Sequence, residues 1–142
     1  MQTFLPYSDF RASAACLDYR RLGKQRIEAM QIYQIITGQA TSNAWKNHPA
    51  VLMWEGYENC LASYYNTCVL EWVYERKYKH TMGLLPCEGL DVPPWLGDKQ
   101  FHSTHRAALL AKNFEWYSQF KWTEEPVINY YWPIRLKETN EN

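Results

Sequence analysis

The chain carries no net charge: its 15 basic residues are matched by 15 acidic ones. General adhesion to nucleic acid, which goes with a basic excess, is therefore not supported. No apolar run approaches the roughly 18 residues of a membrane-spanning helix, so no membrane partner is expected. The four cysteines (Cys16, Cys60, Cys68, Cys87) form no Cys-x-x-Cys pair and no zinc spacing. Cys60 and Cys68 are too far apart along a helical run to bridge. Scattered free thiols and no signal peptide point to a reducing, cytoplasmic setting. There is no Walker loop, no GxGxxG, no serine nucleophile elbow and no paired Cys/His catalytic signature. Neither a cofactor nor a bound metal is expected. No internal repeat, low-complexity segment or convincing β-hairpin breaks the pattern.

Aromatic side chains are plentiful. They make up 16% of the 142 residues, with seven Trp and eleven Tyr, and hydrophobic residues as a whole reach 46%. Disorder over most of the length is excluded. A chain of this size suits one domain around one core. Many of the rings have a polar tip, which suits a core edge or a binding face.

The periodicity predicts a mainly α, compact single-domain bundle of about three main helices with long loops. Ser8-Asp9 can cap a short helix to about Cys16, and Asp18 a second that ends at Gly38. On this second helix Leu22, Ala29, Met30, Tyr33 and Ile36 form the expected core face, and Arg20, Lys24, Glu28 and Gln31 the opposite one. Arg26 falls inside the apolar stripe, so it is either buried with a partner or lines a cavity. Gly23, an unusual interior glycine, marks a kink or a close backbone approach. Asn47-His48-Pro49 reads as the start of a helix to about His80, some 45 Å long at about 1.5 Å per residue unless Gly56 bends it. Residues 83–99 form a Pro- and Gly-punctuated loop of a length often tied to function. A third helix covers about Lys99 to Ala111, with a separate turn through Phe120. The domain spans residues 1–137, and residues 138–142 are expected to fray.

Four groups of residues compete as sites. Arg20, Arg21, Lys24 and Arg26 surround one carboxylate, Glu28, at helical spacing. That pattern suits phosphate contacts beside a proton-transfer group, or an ordinary solvated face. His102, His105 and Arg106 could contact a polar substrate or simply occupy a helix surface; no third metal ligand offers itself. Trp45, Asn47 and His48 crowd a helix N-terminus, suited to an anion or to capping. Tyr130, Tyr131 and Trp132 could stack on bases or seal the edge of the core.

Several of these features recur together in a known family. Met1-Gln-Thr-Phe-Leu-Pro6, Leu17-Asp18, Leu22, Glu28-Ala29 and Asn47-His48-Pro49 resemble the pyrimidine-dimer DNA glycosylases. Arg-Leu-Gly-Lys-Gln-Arg, Asn-His-Pro-Ala-Val, Pro-Pro-Trp-Leu-Gly-Asp and His-x-x-His-Arg are similar to an uncharacterised bacterial branch of that family. The resemblance implies a helical base-excision glycosylase and abasic-site lyase acting on damaged or modified DNA. In such enzymes the N-terminal α-amine attacks the sugar C1′ and forms an imine, assisted by a glutamate on the first long helix. Carried over by position, Met1 supplies the amine and Glu28 is the acid. Phosphate contacts would come from Arg20, Arg21, Lys24, Arg26, His105 and Arg106. His48 and His102 complete the polar substrate contacts, while Trp45, Trp95 and Trp132 would flank a base. Where the characterised enzymes carry an arginine directly before the glutamate, this chain has Ile27. A binding module that keeps the fold without the chemistry is the alternative.

Overall fold

The computed structural model describes residues 1–89 and 91–134. Asp9 accepts a hydrogen bond from Ala12 N–H and so caps helix α1, Phe10–Cys16. Helix α2, Tyr19–Ile36, ends at Thr37 and Gly38, where a φ of 78° suits glycine and stops the helix. His48 caps α3, Pro49–Leu52, through its own ring: Nδ1 accepts from Ala50 N–H at 3.0 Å. Gly56 then takes a φ of 87°, so the expected long rod breaks and restarts as α4, Glu58–Leu70. A π-helical turn, Glu71–Glu75, continues it. Helices α5, Lys99–Lys112, and α6, Phe114–Tyr117, follow, with a 3-10 turn at Ser118–Phe120. No strand occurs among the described residues, and the mainly α expectation holds. The expected fraying of residues 138–142 lies outside the described residues.

Asp18 does not cap α2 with its side chain. Its carboxylate instead pairs with Arg21 at 3.1 Å and accepts from the Tyr117 hydroxyl at 2.5 Å. That hydroxyl in turn accepts from Asp18 N–H, which ties α6 to the start of α2. Arg76 closes the neighbouring junction by donating to the carbonyls of Ala14, Ala15 and Leu17. These carbonyls lie at the C-terminal end of α1 and at its cap residue Leu17, where intrahelical partners run out.

Residues 2–6 are buried although they form neither helix nor strand. Their backbone groups need partners, and side chains from three helices supply them. Gln25 of α2 accepts from Phe4 N–H and donates to the Gln2 carbonyl, both at 2.8 Å. Tyr64 of α4 donates to the Phe4 carbonyl. His105 of α5 accepts from Leu5 N–H at 2.9 Å, His102 donates to the Leu5 carbonyl at 2.7 Å, and Arg106 reaches the Pro6 carbonyl at 2.7 Å.

Helix α2 packs most extensively on α4. The buried stripe of α2 is Leu22, Gln25, Ala29 and Ile32, so it includes a glutamine. Met30, Tyr33 and Ile36 are only partly buried against the core. Gly23 marks a close approach: a β-carbon there would stand 3.3 Å from the Trp72 ring. That ring is fixed, because Nε1 donates to the Lys79 carbonyl and the Arg26 guanidinium lies 4.2 Å above its centroid. Gly23→Leu should therefore overpack this contact and cost about 1–3 kcal/mol. A urea titration checks it; an unchanged midpoint would show that the Trp72 ring is free to move.

Candidate active site

The largest contribution to one open cavity comes from α2. Arg20, Arg21, Lys24, Gln25 and Glu28 form one wall of a hollow of about 580 Å³. Their spacing of three and four residues sets them on one side of the helix. Met1, Gln2 and Phe4 bring the buried N-terminal segment to the floor. His48, Lys112, Tyr130 and Trp132 complete the rim. The His48 ring makes edge contacts with Trp45 and Trp132 at 5.4 and 5.9 Å. Its pKa is lowered, first by burial and then by the positive charge of the amino terminus. With Nδ1 accepting from Ala50, it is a neutral ring with its proton on Nε2.

The charge in the hollow is lopsided. Arg21 is committed to Asp18, but among the described residues Arg20, Lys24 and Lys112 have no carboxylate at ion-pair distance. Glu28 is the one acid in the wall. Cations without a carboxylate partner and a single acid therefore share the same hollow.

Of the thirteen residues given a catalytic or substrate-contact role from sequence, seven line this cavity beside the stacking candidate Tyr130: Met1, Arg20, Arg21, Lys24, Glu28, His48 and Trp132. The other six lie elsewhere. Trp45, 52% exposed, lines an adjoining hollow of about 230 Å³ that shares Met1 with the first. Arg26 points to the other side of α2. Besides stacking on Trp72 it donates to His80 Nδ1 at 2.7 Å, which leaves His80 Nε2 to meet the Tyr65 hydroxyl. Trp95 is in the core against Trp54 and Phe101, with Nε1 donating to the Met53 carbonyl. The loop that carries it thus serves packing. His102 and His105 are buried against Leu5, and Arg106 forms an ion pair with Glu124 at 2.8 Å. All three hold backbone of the N-terminal segment, and His102 and Arg106 also line a separate hollow of about 610 Å³.

Lys112, Gln2, Phe4 and Gln25 line the hollow without having been singled out as site residues. Gln25 had a readable signal: it is the polar member of the 3–4–3 series Leu22, Gln25, Ala29, Ile32. The position of Lys112 depends on how α5 packs and has no local signature. Among the described residues, no group of three or more His, Cys, Asp or Glu could hold a metal ion. No described helix is long and apolar enough to cross a membrane.

A family model described as pyrimidine dimer DNA glycosylase matches residues 1–86. The chain belongs to that family. The match takes in the N-terminal segment, all of α2 and α4, and most of the hollow. Lys112, Tyr130 and Trp132 lie beyond it. No curated protein and no solved structure gives a significant match. Membership in the glycosylase family carries a DNA glycosylase-like role with DNA as the substrate.

His105 makes the packing of the buried segment sensitive to acid. Burial is the main cause that moves its pKa from 6.5 to about 3, helped by the nearby His102 and Arg106. The unfolded chain therefore takes up this proton before the folded one does. The stability that neutral His105 contributes is complete above about pH 6.5 and is lost as the pH falls toward 3. His105→Asn, which can still accept from Leu5 N–H, should lower stability most at neutral pH. Its gap to the parent chain should narrow by at most about 1.4 kcal/mol per pH unit on acidification. Urea unfolding at a series of pH values reads this directly, and parallel curves would count against it.

Proposed function

We propose that this protein excises a damaged or modified base from DNA through an imine formed by the Met1 α-amine, with Glu28 as the proton-transfer group. The observation that carries the reading is the single cavity in which Met1, Glu28, Arg20, Lys24 and two aromatic rings meet. An amine is a nucleophile in its neutral form and can form an imine at a sugar C1′. Attack at C1′ breaks the glycosidic bond; the base leaves with its electron pair and is protonated as it goes. Opening of the sugar ring transfers a proton to O4′ and gives the imine. Glu28 then accepts the C2′ proton as the 3′ phosphate departs by β-elimination.

The cations suit the phosphates on either side of the reacting sugar. Trp132 and Tyr130 offer faces for a base turned out of the stack, and extrusion is needed for chemistry at C1′ of a duplex nucleotide. The Ile27 side chain, 45% exposed, lies outside the cavity wall.

Borohydride trapping on abasic and irradiated duplex DNA tests the proposal. The expected product is a covalent adduct whose peptide map places the DNA on residue 1. Lys24 and Lys112 are rival amines in the same hollow, so Lys24→Ala and Lys112→Ala should still trap. Glu28→Gln should slow base release by about 100-fold or more. An adduct on either lysine, or no adduct together with no released base, would reject the imine at Met1.

A further inference from the structure

We infer that Gln25 is the positioning residue of this site: one buried side-chain amide holds the segment that carries Met1 and the Glu28 carboxylate in a common frame. The inference rests on the reading of Met1 and Glu28 given above. Glutamine is seldom buried, yet Gln25 is 1% exposed in the middle of the interface between α2, α4 and the N-terminal segment. Its Oε1 accepts from Phe4 N–H at 2.8 Å and from the Tyr64 hydroxyl at 2.5 Å. Its Nε2 donates to the Gln2 carbonyl at 2.8 Å and stands 3.4 Å from Glu28 Oε1.

The amide cannot be turned over. Phe4 N–H is a donor only and the Gln2 carbonyl an acceptor only, so oxygen must face the first and nitrogen the second. One Nε2 proton thus goes to the residue next to Met1. The other is left for Glu28, one helical turn along α2. At 3.4 Å this second contact is long for a bond to a carboxylate, which settles at about 2.7–2.9 Å. Hydrogen bonds of catalytic groups are often loose in a free enzyme and tighten when substrate fills the site. Tyr64, itself fully buried, shares its single proton between Gln25 Oε1 and the Phe4 carbonyl. The amide is therefore braced from α4 on its oxygen side and left with one adjustable contact, the one to Glu28.

Two substitutions and one measurement on the unaltered protein test this. Gln25→Met keeps the length of the side chain and removes both N–H groups. Gln25→Glu keeps an acceptor for Phe4 and Tyr64 but, as a carboxylate, loses both donors and sets a second negative charge beside Glu28. In either variant the single-turnover rate of base release should fall about 100-fold, the scale of a small misplacement of reacting groups. The Kd for duplex DNA carrying a tetrahydrofuran abasic analogue should stay unchanged, and circular dichroism should report a folded chain. A folded variant with the parent's rate, or with rate and Kd lost together, overturns the inference. If neither variant folds, the parent chain decides by NMR: the Gln25 side-chain amide resonances should move as Glu28 titrates, and should not do so in Glu28→Gln. Resonances indifferent to Glu28 overturn it as well. A parent chain that neither releases a base nor traps DNA overturns the reading of Met1 and Glu28, and positioning falls with it. An active parent with an indifferent Gln25 rejects positioning alone.

Discussion

A stretch of backbone buried outside any helix or sheet must have each of its polar groups met by something, and residues 2–6 impose that demand on the whole protein. An unpaired buried N–H or carbonyl costs about 1–3 kcal/mol, and the segment presents several in a row. Gln25, Tyr64, His102, His105 and Arg106 meet six of them from three helices, and the Gln2 side chain meets Thr3 N–H from within the segment. Each partner has to arrive with the right donor or acceptor. His102 must donate from Nδ1 while its Nε2 accepts from Gly97 N–H; His105 must accept at Nδ1. The two rings are therefore in opposite tautomers, both neutral, and neither could hold its place as an imidazolium. The orientations of α2, α4 and α5 about the segment follow from these bonds as much as from apolar packing.

The same demand explains which residues reach the cavity. Helix α2 turns Gln25 inward to the segment, and 100° per residue then carries Arg20, Lys24 and Glu28 around the edge of that contact into the open. Arg26 is left on the far side against Trp72 and His80. The cavity is thus the open margin of the contact between α2 and the N-terminal segment. A neutral chain can present a cationic hollow because its charges are unevenly placed: Arg20, Arg21, Lys24 and Lys112 line the cavity with Glu28 as the one acid among them. Net charge is a poor guide when placement is this uneven.

Helix boundaries were largely legible because they depend on neighbours in sequence. Asp9, Gly38 and the His48-Pro49 start all act within a turn of where they stand. The charged face of α2 and the lone Glu28 were legible for the same reason. His102, His105 and Arg106 were not, since their spacing fits a substrate contact and a backbone clamp equally well. Only the arrival of Leu5 and Pro6, nearly a hundred residues away in sequence, decides between them. Trp95 misled in another way: a tryptophan in a Pro-rich loop looks available for stacking until Trp54 and Phe101 are seen to enclose it.

Placing a candidate site against a buried polar network has a consequence for how the molecule tolerates change. In an apolar core a lost methylene leaves a cavity whose cost is graded. Here a lost donor leaves its partner unsatisfied in a low-dielectric setting, and the remaining members cannot shift to cover it because their own partners are single-sided. The segment therefore has one good arrangement and few near alternatives. That rigidity fixes the backbone next to Met1 before any substrate arrives, which would serve the chemistry proposed for Met1 and Glu28. It also means that the floor of the hollow is held from within, while Arg20, Lys24 and Lys112, which have no ion pair among the described residues, are left free to meet an anion.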